Sequence, residues 1–194
     1  RSESLQSDLR RRLDGDGALP LGESLWVAGS LARALQHAHQ RGVTHLDIKP
    51  ANVLFETTAD GTWDRPKLSD WGLAEHVHGL PSRKERFTTE YAAPEQHRGE
   101  ARAIQTDIFQ FGVVLYEMFT GTYPYRDGDL DLCRADKRDE RYDPPSRVRP
   151  LLPAHLNVII DRSLASDPER RYESTIDMCR DLEEIAQLHS GYLK

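Results

Sequence analysis

The segment from His45 to Asn52 reads H-L-D-I-K-P-A-N and gathers an aspartate, a lysine and an asparagine into one short stretch. Asp70-Trp71-Gly72 and Ala93-Pro94-Glu95 follow it in order. Asp47 offers a carboxylate suited to a general base, which must lie within hydrogen-bond reach of the proton it takes. Lys49 is a cation able to neutralise charge on a transferring phosphoryl group. Asn52 offers a carbonyl oxygen and Asp70 a carboxylate to a shared metal ion, and hard oxygen ligands of this kind suit Mg²⁺. Together these residues describe a phosphoryl-transfer site. Taken singly each signal is weak, because H-x-D and D-x-G are ordinary turn chemistry. The ordered series, closed by an apolar helix headed by Asp107, carries the weight.

This order of motifs resembles the catalytic half of a protein kinase along nearly the whole chain. The resemblance implies ATP as phosphoryl donor, Mg²⁺ held by Asn52 and Asp70, Asp47 as catalytic base and Lys49 at the nucleotide phosphate. Thr88, three residues before Tyr91, matches the family threonine that bridges the catalytic Asp and Lys. The form D-x-K-P-x-N is similar to serine/threonine kinases rather than tyrosine kinases, so the expected partner is a protein with a Ser or Thr acceptor. Two competing readings start from the same residues. A pseudokinase serving as a binding module would keep the fold and lose catalytic residues, yet Asp47, Lys49, Asn52 and Asp70 are all present. A small-molecule phosphotransferase would share H-x-D-x-x-x-x-N and lack the protein-docking A-P-E, here Ala93-Pro94-Glu95.

The same resemblance assigns supporting roles. His45 is expected to pack beneath Trp71, which stands where the family has the Phe of D-F-G. Asp107 is expected to hold the backbone of the catalytic loop, and Glu95 to form a buried ion pair with Arg171 of D-P-E-R-R-Y. Leu46 stands where most kinases carry an Arg that receives the phosphate of the activation loop through charge-assisted bonds. The loop is therefore expected to be ordered without phosphorylation, with Ser82, Thr88 and Thr89 as its available hydroxyls and Arg83, Lys84 and Arg86 as its own cations. Thr89 replaces the more usual Pro of T-P-x-Y.

The elements that must position these groups follow from periodicity. Leu5, Leu9 and Leu13 recur as one helical stripe from Ser4, broken by Gly15 and Gly17. Leu25, Ala28, Leu31, Leu35 and Ala38 form a second helix, opened by Glu23 and Ser24 and closed at Gly42. Val43-Thr44, Val53-Leu54-Phe55 and Lys67-Leu68-Ser69 read as short strands, with Thr57 to Arg65 as a hairpin connection. Thr106 is the expected N-cap of an apolar helix ending at Gly121, apolar on more than one face and hence a core helix. Asp127 to Pro153 predicts one modest helix and a long loop. Two further helices carry Leu156, Ile159, Ile160 and Leu164, then Ile176, Cys179, Leu182, Ile185 and Leu188.

The expected fold class is therefore α+β and predominantly α-helical, similar to a protein kinase C-terminal lobe with short hairpin strands around the catalytic loop. Residues 1–194 form one domain on this reading, with the N-terminal lobe absent as a missing partner. No G-x-G-x-x-G or V-A-I-K-like lysine precedes His45, and the sequence starts without Met as a fragment would. The 194 residues suit a single domain with a substantial core. A net charge of −6 gives no global basic surface, and Arg10-Arg11-Arg12 is read as a solvated helix face, so no nucleic-acid role is expected. Cys133 and Cys179 have neither C-x-x-C spacing nor a partner cluster, which fits a reducing, cytoplasmic setting. No apolar run approaches the roughly 20 residues that span a bilayer, so no membrane is expected in this segment.

Overall fold

The structure is a computed structural model and describes residues 7–57, 63–73, 75–76, 88–100 and 103–189. Strand β1 (Ser7–Asp8) leads into helix α1 (Leu9–Asp16). The helix starts later than the stripe from Ser4 predicts. The Asp8 side chain accepts from Arg11 N at 2.9 Å and so caps the helix, while Ser7 and Asp8 pair with Phe55 and Leu54. Leu5 lies outside the described residues. Helix α2 (Leu21–His39) starts directly after Pro20, ahead of Glu23 and Ser24. Ser24 is consequently inside the helix and buried, its hydroxyl reaching the carbonyls of Leu19 and Met118 at 3.4 and 3.5 Å.

Strands β2 (Val43–Thr44), β3 (Val53–Thr57), β4 (Trp63–Leu68) and β5 (Glu75–His76) follow. They form an antiparallel sheet in the order β1-β3-β4 and a separate antiparallel pair of β2 with β5. This pairing positions the site. Residues 45–52 connect β2 to β3, residues 69–74 connect β4 to β5, and each connection is anchored at both ends by the same two pairings. The turns bearing Asp47 and Asp70 must therefore face one another. The hairpin strands extend further than the sequence predicts, leaving 58–62 between them and outside the described residues. Pro66 sits opposite Phe55 on the outer strand of the sheet, where a missing N–H is tolerated.

Helix α3 (Pro94–His97) precedes α4 (Ile104–Thr120), in which every residue from Thr106 to Thr120 is buried. Thr106 is not its N-cap: Ala103 is, and the Thr106 hydroxyl donates to Glu95 at 2.8 Å. Helices α5 (Leu130–Arg138), α6 (Pro145–Val148), α7 (His155–Ser163) and α8 (Thr175–Leu188) complete the body. The region after Asp127 thus holds a second short helix, started by Pro145, whose fixed φ suits a first helical turn. In α8 the buried face is Thr175, Met178, Cys179, Leu182 and Ile185. Ile176 lies out of phase with that face and Leu188 at its open end, so both are exposed. The arginine triplet is not a solvated face. Arg10 pairs with Glu117 at 3.0 Å, Arg12 pairs with Glu23 and lies over the Phe55 ring, and Arg11 alone is largely exposed. Both cysteines are free and buried. Among the described residues no helix is long and apolar enough to cross a membrane.

The core closes around α4, with α2 and α7 packed on it. Gly112 permits the closest approach: a Cβ there would lie 2.6 Å from Ser163 Cβ and 3.1 Å from a Leu164 methyl. Gly112→Ala should therefore cost about 1–3 kcal/mol by overpacking. Gly15→Ala, at a helical position where nothing lies within 4 Å, should gain up to about 1 kcal/mol. Urea unfolding of the two variants checks this pair of opposite signs, and a neutral Gly112→Ala would contradict the packing.

Candidate active site

The catalytic loop is held from below by α4. The Asp107 carboxylate, wholly buried, accepts from His45 N at 2.8 Å and Leu46 N at 2.7 Å, and its second oxygen also meets His39 Nε2 at 2.7 Å. His39 in turn reaches the Thr175 hydroxyl at 3.3 Å, tying α2 and α8 to the same point. Gln110, one turn further along α4, accepts from Ile48 N at 2.9 Å and donates to Leu46 O at 3.0 Å. Gln96 donates to that carbonyl too, at 3.1 Å. These bonds fix Leu46 at φ +67°, a left-handed conformation that costs an L-residue roughly 1–2 kcal/mol. The Leu46 side chain is buried, so its position offers no cation to the surface.

The loop so bent presents Asp47. Lys49 Nζ donates to Asp47 Oδ2 at 2.7 Å and to the Thr88 hydroxyl at 2.6 Å, while Thr88 N donates to Asp47 Oδ1 at 3.0 Å. Asn52 Nδ2 donates to the Asp47 carbonyl at 2.8 Å. Burial pushes the Asp47 carboxyl up, but the bonds from Lys49 and Thr88 outweigh it and hold the group below the usual carboxylate range. Asp47 is thus ionised at neutral pH, a proton acceptor held in place by three donors.

Asn52 and the residue before Asp70 are bonded across the two connections. Ser69 N and its hydroxyl donate to Asn52 O at 2.8 and 3.0 Å, so Asp70 follows directly on the residue bonded to Asn52. Asp70 has φ +61° and an exposed carboxylate. Gly72 leaves it room, since a Cβ there would come within 3.2 Å of Asp70 Oδ1. With its amide nitrogen committed to Asp47, Asn52 keeps Oδ1 as an acceptor. Among the described residues no group of three or more His, Cys, Asp and Glu is arranged to hold a metal. One amide oxygen and one carboxylate make no closed cage; they match Mg²⁺, which keeps several waters and is bound by few protein oxygens together with substrate phosphates. His45 is buried, bonded to Ser69 O at 2.9 Å, and meets the Trp71 ring at 4.6 Å between centroids.

The Glu95 carboxylate receives two bonds from Arg171, at 2.7 and 2.9 Å, with both side chains almost wholly inaccessible. Arg171 also donates to the carbonyls of Ala165 and Gln105 at 2.8 and 2.9 Å. Sequence reasoning missed Gln96 and Gln110. Their signal is a glutamine one residue after A-P-E and another on the buried face of an apolar helix, each a polar group that burial obliges to find partners. It also missed Glu117, which accepts from Tyr91 at 2.8 Å and from Arg10 at 3.0 Å. Ser82, Arg83, Lys84 and Arg86 lie outside the described residues.

Comparison with known proteins bears on this arrangement. Residues 2–182 match the family model described as a protein kinase domain. The serine/threonine-protein kinase PknB of Mycobacterium leprae is 30% identical over 188 residues, covering 94% of this chain and 29% of that protein. A protein of Clostridium perfringens named as a probable serine/threonine-protein kinase is 33% identical over 173 residues, covering 87% of this chain and 24% of that protein. The chain thus spans less than a third of the length of either relative.

Removing one partner of the buried Glu95–Arg171 pair leaves an orphan charge. Arg171→Ala should cost about 3–5 kcal/mol, read as a large fall in the unfolding midpoint. A melting curve unchanged from wild type would contradict the pair's structural role.

Proposed function

The chain belongs to the protein kinase family, and from that premise we propose that it carries the catalytic and substrate-binding lobe of a serine/threonine protein kinase, transferring the ATP γ-phosphoryl group to a Ser or Thr hydroxyl. Residues 1–194 are the C-terminal lobe on this reading, and an N-terminal lobe supplies the other wall of the nucleotide cleft. The isolated chain is then inactive. The observation that carries the proposal is the triangle of Asp47, Lys49 and Thr88, with Asn52 bonded to its base.

In this reading Asp47 accepts the proton of the substrate hydroxyl, and the bonds from Lys49 and Thr88 aim its carboxylate and keep it ionised. Lys49 also faces the transferring phosphoryl and offsets its charge. Asn52 Oδ1 and the Asp70 carboxylate would hold Mg²⁺, which supplies neutralisation of the nucleotide phosphates. Two free, buried cysteines support a reducing, cytoplasmic location.

In the full-length protein, Asp47→Asn should cut phosphoryl transfer by about 10²-fold or more with nucleotide affinity retained, because the base is lost and no metal ligand is removed. Asp70→Asn should instead weaken Mg²⁺-dependent ATP binding. Radiolabelled-ATP transfer and nucleotide titration separate the two, and equal transfer by wild type and Asp47→Asn would remove Asp47 from the role. A further prediction rests on Leu46: with an apolar side chain and no cation at that position to receive a loop phosphate, phosphatase treatment should leave transfer unchanged. Strong inactivation by phosphatase, or by Ser82→Ala or Thr89→Ala, would show that another basic residue receives a phosphate.

A further inference from the structure

Lys137, in the last turn of α5, is fully buried and forms no ion pair among the described residues. Its ammonium donates instead to backbone carbonyls: to Glu90 O at short range, to Ala92 O at 2.9 Å and to Thr89 O at 3.4 Å. The rings of Tyr125 and Phe109 lie 5.6 and 6.0 Å from the nitrogen, so aromatic faces complete its surroundings. The Tyr123 hydroxyl donates to Glu90 O as well.

Three carbonyls from four consecutive residues converge on one point only if the chain curls around that point. A lysine ammonium brings three donors and a positive charge, which suits such a centre. An apolar side chain of equal length would fill the volume and leave the Thr89 and Ala92 carbonyls without this donor. The curled segment is also the one strung between the catalytic triangle and the buried ion pair. Thr88 at one end bonds Asp47 and Lys49, and Glu95 beyond the other end bonds Arg171.

We propose that Lys137 is a positioning residue for the protein substrate: its ammonium holds residues 89–92 in the shape that receives the acceptor segment, and loss of its proton releases that shape. The proposal rests on the kinase reading above. It separates substrate binding from transfer, because Lys137 bonds to residues 89–92 and, among the described residues, not to Asp47 or Asn52.

The change falls in an accessible range. Burial pushes the Lys137 amine down to about 8, with Cys133 and Glu90 opposing that shift and Arg134 adding to it. Among the described residues the groups around the amine are Cys133 and Arg134 from its own helix, Glu90 from the loop, His97 from α3, Tyr123 and Tyr125 from the turn after α4, and Arg171, which lies over the same Phe109 ring. Burial, then the cations Lys137 and Arg134, push His97 down to about 4, and burial pushes both tyrosines up. Neither His97 nor the tyrosines change charge between pH 6.5 and 9.5 on these shifts.

The test uses the full-length protein, with Cys133→Ser measured in parallel: losing a group that holds the amine up should move the limb to lower pH, whereas a limb due to the thiol would vanish. KM for a protein substrate, KM for ATP and kcat are measured from about pH 6.5 to 9.5, a window bracketing the shifted amine. Substrate KM should rise about tenfold or more through a midpoint near 8, the loss expected for a charge-assisted bond, while kcat and KM for ATP show no such limb. Lys137→Met should show the raised KM at every pH and no limb, and Lys137→Arg should keep a low KM beyond the wild-type midpoint. In parallel, the carbonyl ¹³C shifts of Glu90 and Ala92 should titrate with that midpoint in wild type and stay flat in Lys137→Met. Titrating carbonyls with a level substrate KM would overturn the substrate role while leaving the kinase reading intact. Carbonyl shifts that do not titrate in wild type would overturn the proposal outright, with no variant needed. A wild-type protein that transfers no phosphoryl group would instead sink the kinase reading, and the substrate role with it.

Discussion

The buried Asp107 carboxylate is the point on which the geometry of the site hangs. A carboxylate without solvent is tolerated only where hydrogen bonds replace its hydration. Here the replacements are two backbone N–H groups of the catalytic loop and an imidazole. The requirement runs both ways. Asp107 needs those donors, and the loop needs that acceptor, because Leu46 would not otherwise remain in a left-handed conformation. Gln96 and Gln110 add the complementary constraint by taking the Leu46 carbonyl from the other side. The bend at Leu46 then turns Asp47 toward Lys49 and Thr88.

Charge is distributed along this frame in a graded way. Deep in the body, Glu95 and Arg171 are paired and bonded to carbonyls, which makes them structural cement. At the loop, Asp47 is only partly screened by Lys49 and keeps its negative charge available. At the opening, Asp70 is exposed and set at φ +61°, which suits the proposed encounter with a hydrated cation. Between these levels runs the segment from Thr88 to Glu95. It touches the Asp47 carboxylate at one end and the buried pair at the other, and Lys137 gathers its carbonyls in the middle.

Much of this was legible in the sequence because the candidate site residues are close in the chain and their spacing is rigid. Asp47, Lys49 and Asn52 belong to one loop, and the distant partners Thr88, Asp107 and Arg171 sit in motifs whose order marks them. What escaped was set by tertiary partners instead. Thr106 has the composition of a helix cap, yet Glu95 claims its hydroxyl. Ile176 and Leu188 fit a stripe by count, but α8 presents a face one residue out of phase with Ile176, and Leu188 is its last residue. The two-residue strands β1 and β5 carry no periodicity to read, and their pairing comes from the chain they lie against. Arg10 and Arg12 resemble surface charge until Glu117 and Glu23 arrive from elsewhere. Lys137 is the extreme case: nothing local marks a lysine beside three carbonyls of a loop some forty-five residues away.

The most direct measurement is phosphoamino-acid analysis of a protein substrate after incubation with the full-length protein, Mg²⁺ and γ-labelled ATP. The account predicts label on serine or threonine, dependent on Mg²⁺. Label confined to tyrosine, or none at all under conditions where nucleotide binds, would contradict it.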